Sequence, residues 1–159
     1  MSSRKRVPFE LTLEVRDSCY CLHLQRAART MARRYDEALR PFALTNNQFS
    51  LLMALNAREG ATMARVTALL GMDRTTLTAA LKVLERRGLA KITVSAGDKR
   101  GRDLALTESG HALLLDAYPV WKRTQAATES HVPNAHAAQL RADLAALGGF
   151  APGAGKKSG

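Results

Sequence analysis

The feature that most constrains the fold is a pair of short helical patterns followed directly by a period-two pattern. Residues 62–70 and 73–87 carry apolar side chains three or four positions apart, and a glycine follows each segment, where a left-handed helix cap is expected. Residues 89–94 and 102–106 then alternate polar and apolar side chains around a polar loop, which is typical of a β-hairpin. Helix, tight turn, helix and hairpin together predict a winged helix-turn-helix, with the hairpin loop as its wing.

One long helical pattern precedes this unit. It begins near residue 17, and Pro41 ends it. Its apolar stripe consists of Cys21, Leu24, Ala28, Met31, Tyr35 and Leu39. Thr45 and Gln48 then form a capping-box sequence for a further helix, which should stop near residues 59–60. In the three short helices we expect these side chains to face inward: Phe49, Leu52, Met53, Val66, Leu69, Leu70, Leu77, Leu81 and Leu84.

A second long helical region follows the hairpin. Thr107 is a suitable cap for a helix that continues toward Ser130, with a kink expected at Pro119. Pro133 should open a last helix, which Gly148–Gly149 terminates.

These patterns predict a mainly α fold with a small β-hairpin wing. They divide the chain into an N-terminal arm (1–16), a winged helix-turn-helix (43–106), two terminal helical regions (17–42 and 107–150) and a disordered tail (151–159). The terminal helical regions are longer than a winged helix needs to cover its core. Their apolar stripes therefore need another surface, unless the two regions simply pack against each other within one chain.

The charge balance indicates a polyanionic partner. The 159 residues include 24 Lys and Arg against 14 Asp and Glu, which gives a formal net charge of +10. The hydrophobic fraction of 46% is sufficient for a folded core and excludes a disordered chain. Because the basic residues are spread along a folded domain, nucleic acid is the expected partner, and its binding should depend on salt.

The sequence contains no feature that would place the protein in a membrane or an oxidising compartment. Neither a signal-peptide pattern nor a run of about 18 uncharged apolar residues is present. Cys19 and Cys21 are separated by one residue, which is poor geometry for an unstrained disulfide. We expect a cytoplasmic protein with reduced thiols.

The outward face of the second short helix carries side chains suited to DNA. With its leucines turned inward, the residues left facing outward are Arg74, Thr75, Thr78 and Lys82, and we include the neighbouring Thr76 among the candidate contacts. Arginine can bind guanine through two hydrogen bonds, and hydroxyl groups can bind phosphates or base edges. This helix is therefore the predicted reading helix, although a merely solvated helix face would carry similar residues.

Enzymatic and metal-binding patterns are lacking. The histidines do not form a pair four residues apart around an acid, and the sequence contains neither Cys-x-x-Cys nor Gly-x-Ser-x-Gly. We expect a protein without a metal, without a cofactor and without catalytic activity.

The sequence resembles the MarR family of dimeric winged-helix transcription regulators over residues 18–130. Its most specific match is the wing: residues 98–100 (DKR) and 104–110 (LALTESG) correspond to the family's Asp-x-Arg followed by Leu-Thr-x-x-Gly. Residues 69–77 and 84–89 match the helix-turn-helix region in the same order and spacing.

This resemblance implies roles for the residues of the wing. Arg100 lies at the tip of a glycine-flanked loop and would enter the narrow DNA minor groove, while Asp98 would hold it in place. Lys99 and Arg102 would contact phosphates, unless they are only solubilising loop charges. Two wings in a dimer would read a pseudo-palindromic operator.

The resemblance also implies a repressor that responds to a small aromatic or anionic effector. An alternative is a repressor that senses organic peroxide, because the peroxide sensors of the family have a reactive cysteine where Cys21 stands and a tyrosine where Tyr35 stands. Gln25 replaces the second tyrosine of those sensors, and Cys21 could equally be a small packing residue. A third hypothesis is a winged helix that binds proteins and not DNA, against which the basic face of residues 74–82 argues.

Overall fold

The computed structural model describes residues 6–58, 60–95, 101–133 and 136–150. The helices are α1 (Phe9–Ser18), α2 (Tyr20–Leu39), α3 (Asn46–Leu55), α4 (Met63–Leu70), α5 (Arg74–Arg86), α6 (Glu108–Glu129) and α7 (Ala137–Gly148), with a 3-10 turn at Arg40–Phe42. The strands are β1 (Ala61–Thr62), β2 (Ala90–Val94) and β3 (Arg102–Leu106). This mainly helical chain with a small antiparallel sheet confirms the predicted fold class.

Local sequence signals set most of the helix ends. The capping box at α3 is present, because Thr45 Oγ1 accepts the Gln48 N–H at 3.2 Å and Gln48 Oε1 accepts the Thr45 N–H at 3.1 Å. Thr107 caps α6 as predicted. Gly71 and Gly88 end α4 and α5 with φ of 62° and 68°, the left-handed conformation that favours glycine.

The hairpin is confirmed, and a third strand joins it. β2 and β3 pair antiparallel with Lys91 opposite Ala105, and β1 pairs with the other edge of β3, with Ala61 opposite Leu104. β1 was not predicted, because two residues are too short to show a period of two. It ties the start of α4 to the hairpin, so the helix-turn-helix and the wing share one sheet.

The core lies where α2, α3, α5 and α6 meet this sheet. Leu77, Leu81 and Leu84 of α5 are buried as predicted, and they pack in one cluster with Leu52 and Leu104. Burying a leucine side chain contributes roughly 1.5–3 kcal/mol. This cluster therefore fixes the rotation of α5 about its own axis.

The N-terminal segment differs from its prediction. Residues 1–16 were expected to be an arm, but Phe9–Ser18 is a helix that begins after Pro8, a residue compatible with a helix start. The apolar residues of this segment show no clear helical period, so the sequence did not predict the helix. The backbone at Cys19 is extended (φ −74°, ψ 104°), so the long helix begins at Tyr20 and not near residue 17.

The prediction of the core is wrong for two residues. Met53 is 39% exposed and Leu69 is 68% exposed, because α3 and the two-turn α4 direct other side chains, such as Val66, into the core. α3 also ends at Leu55, short of residues 59–60, where the chain turns toward β1.

The C-terminal helices agree with their predictions only in part. Pro119 lies inside α6, which spans Glu108–Glu129, and the kink expected there stays a prediction. α7 begins at Ala137 and not at Pro133, and it ends at Gly149 (φ 68°) as predicted. The predicted tail, 151–159, lies outside the described residues.

Gly110 must be a glycine because α6 passes close to the end of the α5–β2 turn. A Cβ at this position would overlap the carbonyl oxygen of Leu89, which also accepts the Thr107 N–H at 3.2 Å. The glycine of the Leu-Thr-x-x-Gly sequence thus lets α6 pack against the backbone that precedes the hairpin.

Replacing Gly110 by alanine should therefore destabilise the fold. A clash with backbone cannot be relieved by a side-chain rotation, and overpacking of this kind costs about 1–3 kcal/mol. Chemical denaturation of Gly110→Ala should show that loss, whereas Ser109→Ala, at an exposed position one residue earlier, should stay near wild type. Equal unfolding midpoints for the two variants would contradict the close approach.

Asp73 caps the N-terminus of α5. Its Oδ1 accepts the Thr76 N–H at 2.8 Å, and its Oδ2 accepts the Thr76 hydroxyl at 2.6 Å. These hydrogen bonds, first from the Thr76 side chain and then from its backbone, lower the pKa of the Asp73 carboxyl below its ordinary value of 3.8.

The stabilisation by Asp73 should depend on pH in a defined direction. Because the folded-state pKa is lowered, the contribution is complete above about pH 4, near the unfolded value, and is lost as the pH falls through the folded pKa. Thermal unfolding should show Asp73→Ala less stable than wild type at pH 7, and the gap should narrow at acid pH. Thr75→Ala is the control, and a gap that is constant with pH would rule out the charged cap.

Candidate nucleic-acid interface

The N-terminal half of α5 presents a cationic and hydroxyl-bearing surface. Arg74, Thr75, Thr78 and Lys82 line one shallow depression on the solvent side of the helix, as the sequence predicted. The Thr78 hydroxyl donates to the Arg74 carbonyl oxygen at 2.7 Å, so its oxygen keeps both lone pairs as hydrogen-bond acceptors. The Thr76 hydroxyl, in contrast, is held by Asp73 in the helix cap.

A groove runs between α5 and the hairpin. Arg74, Lys82 and Arg102 line it together with Glu85, and Met63, Leu81 and Ile92 supply its apolar lining. The groove has a volume of about 420 Å³. Three cations against one carboxylate give it a positive potential, which suits a phosphate backbone.

The base of the wing is closed by a pair of hydrogen bonds that sequence reasoning missed. The Ser95 hydroxyl donates to Asp103 Oδ1 at 2.7 Å, and the Ser95 N–H donates to the Gly101 carbonyl oxygen at 3.2 Å. Only the strand register, with Thr93 opposite Asp103, brings these residues together. Asp98, Lys99 and Arg100, the predicted tip of the wing, lie outside the described residues.

The candidate redox residues are not all neighbours. Cys21 is exposed, and Gln25 Nε2 donates to its Sγ at 3.2 Å. Tyr35 lies 14 residues further along α2, about 21 Å at 1.5 Å per residue, and its hydroxyl donates to Gln125 Oε1 at 2.5 Å. Cys19 is the N-cap residue of α2 and lies just outside the helix.

Tyr35 belongs to a polar chain that connects three helices. Gln125 of α6 accepts from Tyr35 and donates to Glu129 Oε1 at 2.9 Å, and Arg141 of α7 donates to the same oxygen at 2.5 Å. The hydrogen bond from Gln125 and then that from Arg141 lower the pKa of the Glu129 carboxyl. The chain holds α2, α6 and α7 in a defined relation beside the winged helix.

An aromatic groove lies between α3, α4 and α6. Phe49 and Tyr118 both stack on Trp121, with ring centroids 6.0 Å and 5.7 Å away. The exposed Met53 and Leu69 complete its walls, and its volume is about 390 Å³. The two side chains wrongly assigned to the core therefore line a surface that could hold an aromatic molecule.

The terminal helices leave many apolar side chains in solvent. Those of the N-terminal segment are Val7, Phe9, Leu11, Val15, Tyr20 and Leu24, and those of the C-terminal segment are Leu140, Leu144, Leu147 and Phe150. Every residue of α1 and α7 is at least partly exposed. Large exposed apolar surfaces often mark contacts with another protein.

No group of three metal-ligating side chains occurs in the described ranges, and no helix within them is long and apolar enough to span a membrane. The described surface carries a cationic groove between α5 and the hairpin and an aromatic groove between α3, α4 and α6.

Comparison with known proteins identifies the family that this fold resembles. The MarR family model matches residues 44–101. The transcriptional regulator MosR of M. tuberculosis, solved in complex with DNA, is 39% identical with a TM-score of 0.76, and the match covers 83% of this chain and 95% of MosR.

Two further proteins are similar to this chain. CouR from Rhodococcus jostii, solved bound to p-coumaroyl-CoA, is 25% identical with a TM-score of 0.71, and the match covers 83% of this chain and 93% of CouR. The organic hydroperoxide resistance transcriptional regulator of Bacillus subtilis is 32% identical over 93 residues, which are 58% of this chain and 63% of that regulator. This chain therefore spans less than two thirds of that curated relative. The family match and the similarity to MosR, which extends over 95% of that protein, show that the chain belongs to the MarR family of winged-helix transcriptional regulators. The members of this family are DNA-binding proteins and not enzymes.

Proposed function

We propose that the protein is a homodimeric, sequence-specific repressor of transcription that an effector releases from its operator. The observation that carries this proposal is the groove in which α5 and the hairpin place Arg74, Lys82 and Arg102 side by side. A winged helix that served only protein contacts would have no need for this cationic surface.

In the proposed complex α5 enters the DNA major groove. The Arg74 guanidinium and the hydroxyls of Thr75 and Thr78 face the base edges, and Lys82 pairs with a phosphate. The helix N-terminus adds a partial positive charge directed at the backbone. Thr76 supports this arrangement indirectly, since its hydroxyl bonds to the cap residue Asp73.

The wing provides the second set of contacts. Arg100 enters the minor groove with Asp98 as its anchor, while Lys99 and Arg102 bind flanking phosphates. The family resemblance supplies these roles for residues 98–100. The hydrogen bond between Ser95 and Asp103 supports them, because it stiffens the strands from which the loop extends.

The dimer forms through the exposed apolar faces of α1, α2 and α7. Two winged helices related by a two-fold axis then read two half-sites of a pseudo-palindromic operator. The polar chain from Tyr35 to Arg141 keeps the three helices of each protomer in register for this contact.

The effector occupies the aromatic groove. Phe49, Tyr118 and Trp121 give the groove an aromatic lining, and the groove adjoins both α4 of the helix-turn-helix and α6 of the terminal region. Occupancy would change the angle between these elements and so the spacing of the two reading helices. CouR, which is bound to p-coumaroyl-CoA, supports an aromatic, anionic class of effector.

A second candidate signal is organic peroxide. The exposed Cys21 thiol with the Gln25 amide at 3.2 Å favours it, as does the likeness to the hydroperoxide resistance regulator. The thiolate would attack the peroxide, an S–O bond would form as the O–O bond breaks, and an alcohol would leave. Cys21 becomes a sulfenic acid, and the hydroperoxide is reduced. Within one protomer Tyr35 is too distant to take part.

Removing Lys82 should weaken DNA binding without changing sequence preference. Each phosphate that is no longer neutralised lowers the slope of log affinity against log salt by about 0.9. Fluorescence anisotropy over a salt series should show this for Lys82→Ala on both operator and random DNA. Lys122→Ala, an exposed lysine on α6, is the matched control. An effect confined to one base position would mean that Lys82 reads a base.

Sedimentation equilibrium should find the protein at twice its 17.3 kDa chain mass at micromolar concentration. Leu140→Asp with Leu144→Asp should reduce the dimer, because two charges would enter an apolar contact. Ala138→Asp with Ala142→Asp puts the same charges on the opposite face of α7 and should leave it intact. A folded wild-type monomer at that concentration would rule out the two-site reading of DNA.

Hydroperoxide and an aromatic carboxylate distinguish the two proposed signals. If Cys21 is the sensor, one equivalent of organic hydroperoxide should release the wild type and the Cys19→Ser variant from DNA, but not the Cys21→Ser variant. If the Cys21→Ser protein is also released, or only the carboxylate acts, Cys21 is a structural residue and the aromatic groove is the sensing site.

A further inference from the structure

The residue that follows α7 contacts the turn between α4 and α5. If Gly71, which ends α4, carried a Cβ, that atom would lie 2.9 Å from Phe150 Cζ and 3.4 Å from Phe150 Cε1. The edge of the Phe150 ring therefore points at the backbone of this glycine. Arg74, the first residue of α5, follows Gly71 by three positions. The end of the C-terminal helix thus lies against the chain just before the proposed reading helix.

The way in which α7 ends determines where the Phe150 ring lies. Gly149 is left-handed (φ 68°), its N–H donates to the Ala146 carbonyl oxygen at 3.2 Å, and the Phe150 N–H donates to the Ala145 carbonyl oxygen at 2.9 Å. These are the two hydrogen bonds of a Schellman motif, which is common at helix C-termini. The ring lies over Gly148, where a Cβ would overlap it. The backbone that carries Phe150 is therefore held by hydrogen bonds to its own helix.

The turn that the ring contacts is also fixed by hydrogen bonds. Gly71 is left-handed (φ 62°), and the Met72 N–H donates to the Thr67 carbonyl oxygen at 3.2 Å. Asp73 then caps α5 through its two hydrogen bonds from Thr76. Because Gly71 has no side chain, the ring packs on backbone. The contact is thus with the part of the chain that sets where α5 begins.

Near its start, α7 is attached to the terminal helices. Arg141 donates to Glu129 Oε1 of α6 at 2.5 Å. The 12 residues of α7 are about 18 Å long, so the helix extends from this bond to the helix-turn-helix. In the proposed dimer its exposed Leu140 and Leu144 contact the partner. A single helix would then connect the dimer contact with the start of α5.

We propose that Phe150 is a positioning residue for DNA reading, because its contact with Gly71 holds the start of α5 at a fixed orientation relative to the dimer axis. The inference rests on the proposed function, since it requires two paired reading helices. Phe150 itself contacts no DNA. Its effect is to fix the distance and angle at which the two α5 helices meet their half-sites, so that one operator spacing is preferred.

A double-mutant cycle tests the contact in the absence of DNA. Gly71→Ala should lower the free energy of unfolding for two reasons, the left-handed φ and the overlap with the ring. In the Phe150→Ala background only the first reason remains. The loss should therefore be smaller there, by about twofold or more in the folding equilibrium constant. Equal losses in the two backgrounds would show that the ring does not contact this turn, and would overturn the proposal.

The DNA test compares operators of different spacing. The wild type should prefer the operator recovered from a random pool to versions with one base pair added or removed between the half-sites, a change that rotates one half-site by about 34–36°. In Phe150→Ala this preference should fall by roughly 2- to 30-fold. Phe150→Leu keeps an apolar residue at the end of the Schellman motif but is too short to reach Gly71, so it should lose the preference as well.

Dimerisation and affinity for random DNA distinguish this role from others. Both variants should stay dimeric and bind random DNA as the wild type does, because the charges of α5 are unchanged. A monomeric Phe150→Ala protein would make Phe150 a dimer contact, and a wild-type spacing preference in Phe150→Leu would make it only an end residue of α7. Either result overturns the proposal. If the wild type recovers no two-fold operator, the proposed function fails and this role with it, whereas an unchanged preference in both variants overturns the positioning role alone.

Discussion

The burial of Leu77, Leu81 and Leu84 determines which side of α5 faces solvent. Removing one such leucine from a core costs about 2–5 kcal/mol, so the helix cannot rotate without a large decrease in stability. Since these residues are buried against α3 and the sheet, the threonines and cations of its other side must face outward. The Asp73 cap and the two glycine-ended turns then fix where the helix begins and how it connects to the hairpin.

Other contacts connect the winged helix to the terminal helices. β1 joins α4 to the wing, the aromatic groove lies between α4 and α6, and the polar chain from Tyr35 to Arg141 connects the terminal helices. A molecule inserted beside Trp121 would thus press on helices from both parts of the chain. The thiol of Cys21 lies elsewhere, near the start of α2, so the two proposed signals would reach α5 by different routes.

Much of this could be predicted from the sequence, because caps, left-handed glycines and period-two strands are local signals. The helix-turn-helix, the hairpin and the outward set on α5 were predicted on that basis. The exposure of Met53 and Leu69 could not be predicted. In a short helix, the sequence pattern of apolar residues is the same whether they face the core or a surface groove. The two-residue β1 and the Ser95–Asp103 bond depend on tertiary pairing. The roles of residues 98–100 remain predictions from family resemblance.

Sequencing the DNA fragments that the purified protein retains from a random pool is the most direct test of sequence-specific reading by paired winged helices. We expect recovery of a pseudo-palindrome whose half-sites are about one helical turn apart, about 10–10.5 base pairs, or a multiple of that spacing. Substituting Arg74 should alter the bases that are preferred in each half-site. Retained fragments without a shared motif, or a motif without two-fold symmetry, would contradict reading by two symmetry-related helices.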